Sequence, residues 1–331
     1  MNSIPATTPR LARASPRVEY RRLASGQDVP DDALFIVDFT RGRAGPGRVC
    51  VALEPLAGAG LSEVWFASGA VASGETQGVR YRHDDHFLAG VIEVDEAQHG
   101  GIAPATAAAY RAIAEFQSAA AFPHLLRTWN YFDAINDGVG DAERYRSFCG
   151  GRVAGLAALR QVQHPAATVI GRRAREGVLQ VYWLAGRVPG MALENPRQVS
   201  AYLYPREYGA TAPTFSRAML VTPHLLLVSG TASIVGHASR HCGDAGAQTR
   251  EILVNLDSLL ARARQYAPTL PDRIGERTLI KAYVRDASDL PVVEAELRER
   301  LPPEAPLLVL HGDVCRRDLL VEFDCLASAD G

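Results

Sequence analysis

The sequence predicts a mixed α/β (α+β) fold of two sheet-plus-helix units, and three observations carry that reading. The chain of 331 residues exceeds the usual size of one domain. Each half runs from short β-rich apolar stretches through an amphipathic helical stretch to a further strand. The halves also share a short internal match. Ser68-Gly69-Ala70 precedes a helical run and then Leu125-Leu126-Arg127-Thr128-Trp129-Asn130-Tyr131; Ser229-Gly230-Thr231 precedes another and then Leu279-Ile280-Lys281-Ala282-Tyr283-Val284-Arg285. The first unit is the degenerate copy. The predicted division is a mobile tail over residues 1–17, an N-terminal unit over 18–150 and a C-terminal unit over 151–331.

Taken in order, Leu34-Phe35-Ile36-Val37-Asp38-Phe39 is the first strong strand, and Gly42, Gly45, Pro46 and Gly47 turn it into a returning strand over 48–53. Residues 63–66 and 86–94 are further strands. Residues 106–121 read as a helix, being Ala-rich with Tyr110, Ile113 and Phe116 on one face, and Pro123 ends it. Residues 125–132 are a strand leading to Asn136-Asp137-Gly138. In the second half, 219–221 and 225–228 form a hairpin around Pro223-His224. Residues 249–266 form an amphipathic helix with Ile252, Leu253, Leu256, Leu259 and Leu260 on its apolar side. A strand over 279–284 and a helix over 290–301, opened by Pro291, follow.

Composition narrows the function. A 47% hydrophobic, 22% charged chain builds a substantial soluble core. A net charge of −2 and the lack of an aromatic-interleaved basic run give no sign of a nucleic-acid partner. Arg10, Arg13 and Arg17 are not followed by the apolar segment of a signal peptide, and no apolar run is long enough to span a membrane. Five scattered cysteines without C-x-x-C spacing suit reduced thiols in a cytoplasm. The glycines of 42–47 and 57–60 lack a phosphate-binding pattern, so no nucleotide is expected. His83-Asp84-Asp85-His86, and His237 with His241-Cys242, read as solvated loop residues rather than ligands; neither metal nor cofactor is expected.

The most informative stretch is 307–324. Leu307, Leu308, Val309 and Leu310 read as a buried strand and Leu319, Leu320 and Val321 as its partner, with Cys315, Arg316, Arg317 and Asp318 between them. Glu322 ends the second apolar run, where its carboxylate is partly desolvated. Burial raises a carboxyl pKa, and a carboxyl that keeps its proton near neutrality serves as a general acid. An adjacent arginine fixes an anionic substrate through paired N–H donors. The same residues also fit an ordinary hairpin in which Glu322 pairs with Arg316 or Arg317.

Residues 213–328 resemble the RidA-like (YjgF) family, whose fold is chorismate mutase-like, through Pro213-Thr214-Phe215-Ser216-Arg217-Ala218, Leu227-Val228-Ser229-Gly230, Gln248-Thr249-Arg250, Tyr283-Val284-Arg285-Asp286 and Val321-Glu322. A longer match, from about 30 to 328, is similar to the chorismatases. It rests on Arg127-Thr128-Trp129-Asn130-Tyr131-Phe132, Ile135-Asn136, Glu143-Arg144-Tyr145, Gly151-Arg152, Pro205-Arg206-Glu207-Tyr208-Gly209, Ser229-Gly230-Thr231-Ala232-Ser233 and Gly312-Asp313-Val314-Cys315-Arg316. The resemblance implies two RidA-like units and an enzyme that releases pyruvate from chorismate, its small-molecule partner. RidA-like proteins resemble trimers, so an oligomer is left open, although a doubled chain satisfies the same surfaces within one subunit.

Chorismate is a dianion, and the candidates to hold its carboxylates are Arg152, Arg217 and Arg316, with Tyr204 or Tyr208 donating O–H bonds. Glu322 is assigned the protonation of the enol ether. Cys315 at its place goes with hydroxybenzoate formation in the family, whereas Ala232, beside Gly230, resembles the hydrolytic branch. The mixture fits the branch yielding both 3- and 4-hydroxybenzoate, which serves ubiquinone and pigment pathways. Other readings of the same residues are Arg217 and Arg316 as surface salt bridges, Cys315 as a small buried hydrophobe and the tyrosines as wall. A hydrolase giving a dihydroxycyclohexadiene carboxylate, and a non-catalytic ligand-binding module, are the alternatives at the level of function.

Overall fold

Strand alternation sets the layers of the molecule. The computed structural model describes residues 11–12, 14–23, 28–42, 45–157 and 163–329. Its first half holds β1 (Arg17–Arg22), β2 (Ala33–Asp38), β3 (Arg48–Cys50), β4 (Glu54–Ala57), β5 (Leu61–Phe66), β6 (Ala72–Thr76), β7 (Val79–His83), β8 (Phe87–Asp95), α1 (Glu96–His99), α2 (Ile102–Ala119), β9 (His124–Asp133), α3 (Arg144–Leu156), β10 (Ala166–Arg172) and β11 (Val178–Gly186). The second half holds β12 (Met191–Leu193), β13 (Ala218–Thr222), β14 (Leu225–Ala232), β15 (Ile234–Val235), β16 (Ala238–Ser239), α4 (Ala245–Arg264), β17 (Thr278–Val284), α5 (Leu290–Arg300), β18 (Leu307–His311) and β19 (Val321–Ser328).

A six-stranded sheet, ordered β10-β9-β11-β8-β7-β6, and a seven-stranded sheet, ordered β12-β13-β14-β19-β17-β18-β4, form the two units. A smaller sheet, β1-β5-β2-β3, packs beside them. On β9, Leu126, Trp129 and Tyr131 face a core shared with Leu225 and Leu227 of β14, while Leu125 and Phe132 face the helix α2. On β14, Leu226 and Val228 point the other way, to Ile252, Leu256 and Leu259 of α4. The result is helix, sheet, sheet, helix, with an aromatic-rich layer (Trp65, Trp129, Tyr182) in the middle. Each of these side chains, fully buried, contributes roughly 1.5–3 kcal/mol of apolar burial. The mixed α/β expectation holds.

Charge is buried in that middle layer too. Lys281 Nζ lies 2.9 Å from Glu63, and Arg127 lies 3.1 Å from Asp324, which also accepts from Trp129 Nε1 at 2.8 Å. All four charged groups are less than a tenth exposed.

Several expectations change. The division at 150 falls inside α3, and β10 and β11 hydrogen-bond into the first sheet, so that sheet runs on to Gly186. β4, from the first half, instead extends the edge of the second sheet by pairing with β18. Residues 1–10 and 13 of the predicted mobile tail lie outside the described residues; of the remainder, Ala12 is buried in the core and Arg17 opens β1. The strand after the 42–47 turn pairs parallel to β2, not antiparallel. β18 and β19 are not a hairpin: β17 lies between them, parallel to β18 and antiparallel to β19. The helix α5 supplies the crossover that a parallel β17–β18 pair requires. No helix among the described residues is long and apolar enough to cross a membrane.

Candidate active site

The site grows from β19. Phe323 points to the α4 core, so by alternation Glu322 and Asp324 point between the sheets. Glu322 is only 5% exposed and sits opposite Ala232 on β14 and Tyr283 on β17. Its carboxyl lies over Gly230, where the β14–β19 register shifts between Val228 and Thr231. A Cβ at residue 230 would come within 2.0 Å of Glu322 Oε1, so the close approach of the acid requires glycine. Withdrawal from water raises the Glu322 carboxyl to about 8. The negative charge of Asp324 adds to the rise, and the guanidinium groups of Arg127, Arg217 and Arg285 work against it. Such a group holds its proton at neutral pH.

Glu322 opens onto a cavity of about 490 Å³ at the seam of the two units. The first unit contributes Glu143, Tyr145 and Arg146 from the start of α3, and Ala167 and Val169 from β10. The second contributes Tyr204, Tyr208, Phe215, Arg217, Gly230, Ala232, Cys315, Arg316 and Arg317. Arg217 is buried, donates to Tyr204 Oη at 2.6 Å and to Val199 O at 2.9 Å, and stacks on Phe215. Arg316 sits 3.9 Å over the Tyr208 ring and donates to His237 O and Ser239 Oγ. Cys315 is partly buried; burial, with the charge of Glu322 adding to it, pushes the thiol up to about 12, so it is not a thiolate.

The structure therefore brings together Glu322, Cys315, Tyr204, Tyr208, Arg217, Gly230, Ala232 and Arg316. Arg152 stands apart. It donates to Thr214 O at 2.6 Å and lies over the Tyr110 ring, and it is not among the residues that line the cavity. Neither Arg316 nor Arg317 pairs with Glu322, because Arg317 is turned to the carbonyls of Asn136 and Gly138. Arg146, Arg317 and Glu143 are lining groups that the sequence reading did not assign to the cavity. The adjacency of Arg317 to Arg316 was the one available signal; nothing in the local pattern separates Arg146 from the structural Arg144, which pairs with Glu96.

The histidine segments resolve differently. Asp84 is buried, not solvated: its carboxylate accepts the backbone N–H groups of Ser68, His86 and Phe87. His237 contacts Tyr208 Oη, and His241 contacts Glu251. Among the described residues no three His, Cys, Asp or Glu side chains are grouped to hold a metal.

A buried carboxyl and several guanidinium groups lining one small-molecule-sized cavity suit a small anionic ligand. Comparison with known proteins agrees. Residues 63–185 match the family model described as chorismatase FkbO/Hyg5-like, N-terminal. A chorismatase of Streptomyces rapamycinicus is 34% identical over 94% of this chain and 97% of its own length. A 3-hydroxybenzoate synthase of Streptomyces hygroscopicus is 37% identical over 80% of each chain. The crystal structure of a chorismatase superposes with a TM-score of 0.84 at 31% identity, covering 95% of this chain and 98% of that one. The chain belongs to the chorismatase family.

Proposed function

We propose that this enzyme cleaves the enolpyruvyl ether of chorismate, releasing pyruvate and a mixture of 3- and 4-hydroxybenzoate. The observation that carries the reading is the buried Glu322 carboxyl, held over Gly230 and opening onto a cavity lined by arginines. Chorismatase and 3-hydroxybenzoate synthase relatives support the substrate class.

Glu322 delivers its proton to the terminal methylene carbon of the enol ether, leaving a cation shared with the ether oxygen. A carbon base of this kind is weak, so the acid must be well placed and near its own pKa. Arg217, Arg316 and Arg317 line the cavity and hold the carboxylates, with Tyr204 and Tyr208 fixing the first two guanidinium groups. The bond from ring carbon to ether oxygen then breaks, its electron pair completing the carbonyl of pyruvate, as the neighbouring ring hydroxyl oxygen attacks that carbon and passes its proton back to the Glu322 carboxylate. One C–O bond of the arene-oxide-like product opens, its oxygen takes up a proton, and loss of a ring proton makes the ring aromatic. Attack by water on the cation instead yields a dihydroxycyclohexadiene carboxylate. Ala232 and Cys315, both at the wall near Glu322, bear on that choice. The thiol contributes as a small neutral surface.

Arg152 enters this reading as a support of the Phe215 wall through Thr214, not as a carboxylate ligand. The test is incubation of purified protein with chorismate and resolution of the products. Pyruvate with both hydroxybenzoates is expected. A dihydroxycyclohexadiene carboxylate as sole aromatic precursor rejects the branch, and absence of pyruvate rejects the activity.

A further inference from the structure

Cys315, Arg316 and Arg317 reach the cavity from residues 312–320, a segment with no strand or helix of its own. Such a segment stays in place only if its backbone groups find partners outside it. Gly171, Val284 and the Gln248 side chain hold its two ends, and one side chain holds three carbonyls along the segment. Arg285, just beyond β17, donates from Nε to Leu319 O at 2.9 Å, and from Nη2 to Val314 O at 2.6 Å and Arg316 O at 2.9 Å. Its Nη1 donates to Asn136 Oδ1 at 2.9 Å and to Asp313 Oδ1 at 3.3 Å. All the N–H donors of a guanidinium are thereby used. Asn136, from the first unit, completes the clamp by donating to Cys315 O at 3.1 Å.

We propose that Arg285 is a positioning residue for the reaction: its guanidinium sets where Cys315 and Arg316 stand against the substrate, and so how products partition. The inference rests on the chorismate-cleaving reading, yet part of its test does not. A lysine keeps the charge but brings three donors on a flexible stem and cannot serve acceptors spread over both edges of a plane. Displacement of the loop by about 1 Å is enough to cost on the order of 10²-fold in rate.

The experiment uses Arg285→Lys in a Cys242→Ser background, since Cys242 is exposed and Cys50, Cys149 and Cys325 are buried. With the variant still folded by circular dichroism, alkylation of Cys315 should speed at least about tenfold as the loop loosens. The kcat should fall by roughly 10²-fold with a smaller change in KM, and the ratio of the two hydroxybenzoates should shift. Millimolar guanidinium added to Arg285→Ala should restore part of the rate. A folded Arg285→Lys with wild-type alkylation and product ratio overturns the proposal, as does a rate loss with the ratio unchanged. Should Arg285→Lys not fold, Asn136→Ala, which frees the Cys315 carbonyl and takes one acceptor from Arg285 Nη1 while leaving the bonds to Val314, Arg316 and Leu319, decides by the same readouts. If the wild type releases no pyruvate, the functional reading falls while the alkylation arm still judges Arg285.

Discussion

At the scale of single residues, Glu322 and Gly230 act as a pair. Glu322→Gln keeps the size of the side chain and removes the transferable proton, so turnover should drop by about 10²-fold or more while chorismate still binds. Undiminished turnover in that variant would remove Glu322 from the mechanism. Because the carboxyl titrates near 8, the acid is in its working form below that pH. The kcat/KM should be level through neutrality and fall about tenfold per unit above pH 8; a value still rising at pH 9 would contradict the assignment. Gly230→Ala places a methyl where the Glu322 oxygen lies, with Cβ 2.0 Å from Oε1. The carboxyl must swing out, so kcat should suffer as in Glu322→Gln, with melting affected far less; an active Gly230→Ala would show that the acid works from elsewhere.

At the scale of elements, the sequence showed those whose apolar period is clean. The strands at 34–39, 86–94 and 125–132 and the amphipathic stretch at 249–266 correspond to β2, β8, β9 and α4, with shifts of a few residues at their ends. α3 was missed for a physical reason. Its glycines, poor in a helix by propensity, are there for contact: a Cβ at 151 would meet Ala103 O at 2.2 Å, and one at 155 would meet Tyr110 Cβ at 2.6 Å. β10 and β11 were overlooked despite legible apolar runs, and no local signal told that β17 separates β18 from β19. The same limit applies to the site. Glu322, Cys315 and Arg316 lie close in sequence and were found together, whereas Arg146 and Glu143 arrive from another unit. Between the sheets, Lys281 offsets Glu63 and Asp324. Lys281→Met leaves both carboxylates buried without it and should cost about 3–5 kcal/mol. Chemical denaturation measures this, and a neutral result would show that Arg127 alone suffices.

At the scale of the whole molecule, the proton on Glu322 couples folding to pH. The folded-state pKa near 8 lies above the ordinary value of 4.5, so between these limits the native chain binds a proton the unfolded chain has released. The contribution is fully present below about pH 4.5 and is lost as pH rises through 8. Denaturation midpoints should therefore decline across that window in the parent more steeply than in Glu322→Gln; equal slopes would mean that the carboxyl ionises freely in the native state.

The strand that bears the acid occupies the middle of its sheet, flanked by β14 and β17. Inserting it joins β14 to β17 and buries the Glu322 carboxyl in a single event. A chain caught half-assembled thus holds a solvated, ordinary glutamate and no cavity at the seam of the units.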